Sequence, residues 1–105
     1  MAAVACQVVR WVADEPQPGL VEAHLTDADG RVWRFIDKEP IFFCAHAVGE
    51  WTRFPVAGAI RCRIVGQDTL SDGRQVVTID TASPDRVDSD GVTIFRVAAS
   101  AISGQ

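Results

Sequence analysis

Cys44 and His46 place a thiol and an imidazole two residues apart. In an extended segment such a pair shares a face, so it has the make-up of a metal corner or of a thiolate with its base. A metal site needs three or four ligands, and the other soft candidates are His24 and Cys62, both distant in sequence. No CxxC pair occurs, and the three cysteines Cys6, Cys44 and Cys62 are widely spaced. The expectation is three reduced thiols packed as small apolar groups, with no metal and no cofactor. Asp80, Asp85, Asp88 and Asp90 lack the glycine and terminal glutamate spacing of a calcium loop. His24, between Glu22 and Thr26 in sequence, reads as a surface residue. Neither a paired-carboxylate nor a Ser/His/Asp arrangement can be drawn, so no catalytic residue is assigned.

Recognition chemistry is better represented. Arg61 and Arg63 alternate with Ile60, Cys62 and Ile64. If the apolar set is core, both guanidiniums face outward, and each can grip a carboxylate or phosphate through two hydrogen bonds. Arg34 joins them only if its strand is a near neighbour. The connection 38–55 mixes Phe42, Phe43, Trp51 and Phe54 with Lys38, His46, Glu50 and Arg53. Long ordered connections on rigid β scaffolds often carry binding. The candidate partner-binding residues are therefore Arg34, Arg61, Arg63, Lys38, Trp51 and Arg53. The competing readings are a solvated arginine face paired with acids, and aromatics that plug one end of the core.

The elements that would position these residues are strands. In 19–27, Val21, Ala23 and Leu25 alternate with Glu22, His24 and Thr26, the period of two of a half-buried strand. Segment 59–65 repeats the pattern. Segments 4–13, 31–37, 74–81 and 92–98 are rich in Val, Ile, Phe and Trp, which suit a pleated surface. Asp29-Gly30, Asp72-Gly73 and Asp90-Gly91 each precede an apolar strand, and Asp-Gly suits tight hairpins. No long stretch has helical periodicity. Residues 97–102 read as one terminal turn and 103–105 as a frayed end.

Length and composition agree. A chain of 105 residues, 48% hydrophobic, has the size and apolar content of one domain with its own core. No apolar run approaches the ~20 residues of a membrane span, and the first twelve residues lack the pattern of a signal peptide. A cytoplasmic location is expected. The net charge of −4 argues against nonspecific nucleic-acid binding. The charge is uneven: Arg31, Arg34, Lys38, Arg53, Arg61 and Arg63 outnumber Asp37, Glu39 and Glu50 across 31–63.

The succession of a DADGR hairpin (27–31), RFIDKEPIFF (34–43), FPVAGAIRCRIV (54–65), DGRQVVTIDT (72–81) and DGVTIFRV (90–97) resembles a group of short bacterial stand-alone β-barrel proteins. Their barrels are similar to the small barrels of elongation factor Tu. The resemblance covers most of the chain but rests on pattern and carries across no active-site residue. It implies a compact barrel, and a link to translation by analogy alone. It does not imply GTPase activity, because the chain has no GxxxxGK[ST] loop.

The reading is thus all-β: a small antiparallel β-barrel of six or seven strands, with residues 1–105 as a single domain. Several strands are apolar on both faces, which predicts either a covering loop or a second copy, that is, a homodimer. The function expected is a non-enzymatic binding module, with a protein partner ahead of RNA and no membrane. The alternative is a small enzyme or ligand-binding barrel that uses the 38–55 loop.

Overall fold

A computed structural model describes residues 1–44 and 48–104. Eight strands run in chain order as β1 (Ala3–Ala13), β2 (Leu20–Thr26), β3 (Val32–Lys38), β4 (Val56–Arg61), β5 (Arg63–Thr69), β6 (Gln75–Asp80), β7 (Ile94–Ala98) and β8 (Ile102–Ser103). Helical structure among the described residues is limited to two 3-10 turns, Glu39–Phe42 and Ala99–Ala101. The all-β, antiparallel expectation holds. The closed barrel does not: the strands fall into two sheets, and there are eight rather than six or seven.

The larger sheet has the order β3-β2-β1-β4, with β8 beside β1, and the smaller has the order β5-β6-β7. The 59–65 segment, expected as one strand, belongs to both. Only Cys62 separates β4 from β5 there, so a single bent stretch of chain carries the polypeptide from one sheet to the other. The in–out alternation survives the bend, with Ile60 and Cys62 buried and Arg63 exposed.

Two hairpins form where Asp-Gly pairs stand. Gly30 and Gly73 take φ of 83° and 89°, which glycine adopts without a Cβ clash. The third pair, Asp90-Gly91, turns the chain just before β7, where Ser89 bridges Val92. The chain end departs from expectation. Ser103 is not frayed but pairs with Ala3, so the last strand closes over the first.

The inward faces make one core. Val4, Val8, Val21, Leu25, Phe35, Ile60, Ile79 and Val97 are buried together. Phe42, in the 3-10 turn after β3, is fully buried and packs into the same core. Gly58 admits that turn: a Cβ there would lie 2.7 Å from the Phe42 carbonyl oxygen. Across the sheets, Phe95 of β7 stacks edge-on to Trp33 at 5.2 Å and lies 5.6 Å from Phe35. No helix among the described residues is long and apolar enough to cross a membrane.

Candidate functional site

The site is best built from β3, because its far edge is unpaired. Asp27 pins the start of this strand. Its carboxylate accepts hydrogen bonds from the backbone N–H of Asp29 (2.9 Å) and Arg31 (3.0 Å) and from Trp33 Nε1 (2.9 Å). Burial alone would raise the Asp27 carboxyl, but these donors and the nearby Arg31 outweigh it and hold the group below its ordinary value. The Arg31 guanidinium lies over the Trp33 ring at 3.8 Å.

Hydrogen bonds that flank the strand set its phase. Asp27 N–H donates to Arg31 O at 2.9 Å, and Glu39 N–H donates to Gly19 O at 3.0 Å. In an antiparallel pair, residues alternate between bonding the partner strand and turning away from it. Trp33, Phe35 and Asp37 therefore bond β2, and their partners in register are Leu25, Ala23 and Val21. Val32, Arg34, Ile36 and Lys38 turn their backbone groups to the open edge. Lys38 N–H is taken by the Asp37 carboxylate at 2.8 Å. Those of Val32, Arg34 and Ile36 have no hydrogen-bond partner among the described residues. The same residues carry exposed side chains, with Val32 at 50% and Ile36 at 49% of full exposure.

The open edge faces the residues before and in β7. Ala28 N–H to Arg96 O, at 2.8 Å, is the backbone hydrogen bond that crosses between the two edges among the described residues. Further along, a recess of about 220 Å³ separates Arg34 and Ile36 from Asp88 and Asp90. Outward on β7, Ile94 is also exposed.

The sequence-derived candidates do not converge. Arg34 lies on β3, at the opposite end of the sheet order from Arg61 on β4. Arg61 is engaged within the chain: Nε and Nη2 form a two-pronged pair with the Asp85 carboxylate at 2.9 and 2.6 Å. Its guanidinium also lies 5.3 Å from the Phe43 ring. Arg63 approaches Asp80 at 3.7 Å. Lys38 and Arg34 are exposed on β3. Trp51 and Arg53 are exposed in the connection to β4. Phe42 occupies the core beneath the start of the 38–55 connection, and His46 lies outside the described residues.

The thiols are held as thiols. Burial, and secondarily the neighbouring Cys44, pushes the Cys6 pKa up to about 12. Burial also raises Cys62 and Cys44. A nucleophilic cysteine needs the opposite shift. No cluster of three His, Cys, Asp or Glu able to hold a metal occurs among the described residues.

Two polar arrangements escaped the sequence reading. Glu22 lies on the outward face of β2 yet is only 5% exposed. Arg10 Nε donates to its Oε1 at 2.8 Å, and His24 Nε2 meets Oε2 at 2.6 Å. The Glu-x-His spacing on one strand face was the available signal. Arg10 is brought in by the β1–β2 register, which sequence does not print. The second is the 81–93 segment. Thr81 Oγ1 donates to Val87 O at 2.7 Å, and Val87 is fully buried, so a stretch that reads as acidic turn is an ordered, anchored loop.

Comparison with known proteins found no matching family model, no matching curated protein and no matching solved structure.

Proposed function

We propose that the protein is a non-enzymatic, cytoplasmic binding module that takes an extended segment of a protein partner along the open edge of β3. The observation that carries this reading is the coincidence of free backbone groups and exposed side chains on Val32, Arg34 and Ile36. An unpaired edge of this kind templates the addition of a strand: main-chain hydrogen bonds supply affinity and alternate side chains supply specificity. Val32 and Ile36 favour apolar residues in the guest, and Arg34 and Lys38 favour acidic ones. RNA is a poorer fit, because the chain is acidic overall and Asp88 and Asp90 border the recess. The resemblance in sequence pattern to short bacterial proteins with elongation-factor-Tu-like barrels, although no closed barrel forms here, extends the proposal to partners near translation by analogy alone.

Ile36→Pro tests the mode of binding. The Ile36 N–H faces the open edge, so proline there removes a donor that a guest would use and none that β2 uses. The tagged variant should keep its β-sheet circular dichroism and lose the proteins that the unmodified protein captures from its host, while Arg63→Ala keeps them. Capture that is unchanged in Ile36→Pro, or lost after ribonuclease treatment, overturns the proposal. So does light scattering that shows a dimer which only Ile36→Pro dissociates, since the guest would then be a second copy.

A further inference from the structure

Two indoles flank a recess remote from the β3 edge in its chemistry. Trp11, near the end of β1, packs its ring over Gly19, where any side chain would strike it. Its Nε1 donates to Asp14 Oδ1 at 2.9 Å, which fixes the plane of the ring. Trp51 packs over Gly49 in the same way, yet is 78% exposed, so its ring is presented to solvent rather than to the core. Both indoles line one open recess of about 500 Å³, together with Asp14, Glu15 and Glu50. Among the described residues no lysine or arginine lines it. None of the three carboxylates forms an ion pair among the described residues.

We infer that this recess is a binding site for an organic cation, an alkylated ammonium or guanidinium head group. The indole face carries the negative pole of its quadrupole and attracts a cation set within about 6 Å of the ring, more strongly for tryptophan than for other aromatics. Alkylated ammonium and guanidinium groups shed water more readily than a bare ammonium or metal ion, so an aromatic wall selects them. The carboxylates add attraction in the same sense and repel anions. The local contact with Gly49 leaves most of the Trp51 indole in solvent, and a recess shared with a second indole and with acids that form no ion pair among the described residues gives that exposure a use. The head group belongs either to a free small molecule or to the modified lysine or arginine side chain of a protein. This inference does not depend on the β3 edge.

The 105-residue chain, labelled with ¹⁵N, offers three indole N–H signals, of which Trp33 lies outside the recess and serves as the internal control. Titration with tetramethylammonium chloride should move the Trp11 and Trp51 signals saturably and leave Trp33 in place, with sodium chloride as the ionic-strength reference. Trp51→Leu, a surface change, should weaken binding about threefold or more, and Glu50→Gln should weaken it less. A trimethyl-lysine peptide or arginine amide that binds tighter than tetramethylammonium identifies a protein side chain as the source. Binding of tetramethylammonium alone identifies a free cation. If none of the three probes gives a saturable shift, or if Trp33 moves with the other two, the inference is wrong.

Discussion

At the scale of residues, the structure replaces a patch of free cations with pairs. The Arg61 guanidinium, expected to reach outward for a partner, spends its hydrogen bonds on Asp85. Arg61→Ala should therefore lower the melting temperature slightly and loosen the 81–93 segment. Arg61→Ala with Asp85→Ala should cost less than the two single changes added together, because each single change strands the other group. Glu22 is the more consequential charge. Burial works against its carboxylate, but the His24 and Arg10 hydrogen bonds outweigh burial and keep it below the ordinary carboxyl range. Its folded pKa is thus depressed relative to the unfolded chain. The stability it contributes is fully present above the unfolded value near ~4.3 and is lost as pH falls through the lower folded value. The Asp27 and Asp72 carboxyls are depressed as well. Denaturant midpoints should be flat from about pH 5 to 8 and fall below about pH 4. Glu22→Gln should cost about 1–2 kcal/mol at neutral pH and flatten part of that acid limb. A Glu22→Gln midpoint and acid limb identical to those of the unmodified protein would show that the network contributes nothing. The thiols act at the other end of the scale. With Cys6 at about 12, its neutral form stabilises the fold below the unfolded thiol value, and that stability drains away as pH rises toward 12. Native Cys6 and Cys62 should resist a thiol reagent at pH 8 that modifies all three cysteines in denaturant.

Elements are placed by a few local devices. Asp27 ties the β2–β3 turn to the first residues of β3, and Gly58 lets the Glu39–Phe42 turn lie against β4. Gly58→Ala would drive a Cβ onto backbone, the Phe42 carbonyl, which cannot swing aside as a side chain can. The expected loss is about 1–3 kcal/mol, read as a shift in the urea midpoint with an unchanged slope. A loss below ~0.5 kcal/mol would mean that the turn moves off β4 at little cost. The bend at Cys62 has a comparable role. Its N–H still donates to Ala2 O at 3.0 Å, so the chain changes sheet without leaving a buried donor unpaired.

On the scale of the whole molecule, stability depends on how well two sheets share one core. Phe95 helps to couple them, touching Trp33 and Phe35 from the opposite sheet. Phe95→Ala should cost about 3–5 kcal/mol, a large fraction of the stability of a domain this size, and should loosen the side-chain packing of β3 against β7. Hydrogen exchange would show this as faster exchange confined first to β3. Uniform acceleration across both sheets would instead mean that Phe95 supports the core generally.

The amino-acid order by itself determined the strand content, most strand limits to within a few residues, two hairpins at Asp-Gly and the inward set from Val21 to Ile64. These follow from local alternation and from backbone preferences that act over two to four residues. It did not determine that the strands divide into two sheets, that Ser103 returns to Ala3, or that β3 is left with an open edge. Those outcomes depend on which strands meet, and a strand's pattern is the same whether its edge is paired or bare. For the same reason the six candidate binding residues are not brought together, with Arg34 and Arg61 at opposite ends of the sheet order. Arg61 meets Asp85 across 24 positions of sequence, and Trp11 and Trp51 share a recess only because the chain returns there. Alternation specifies the face on which a side chain stands, and only the packing of the folded chain specifies its neighbours.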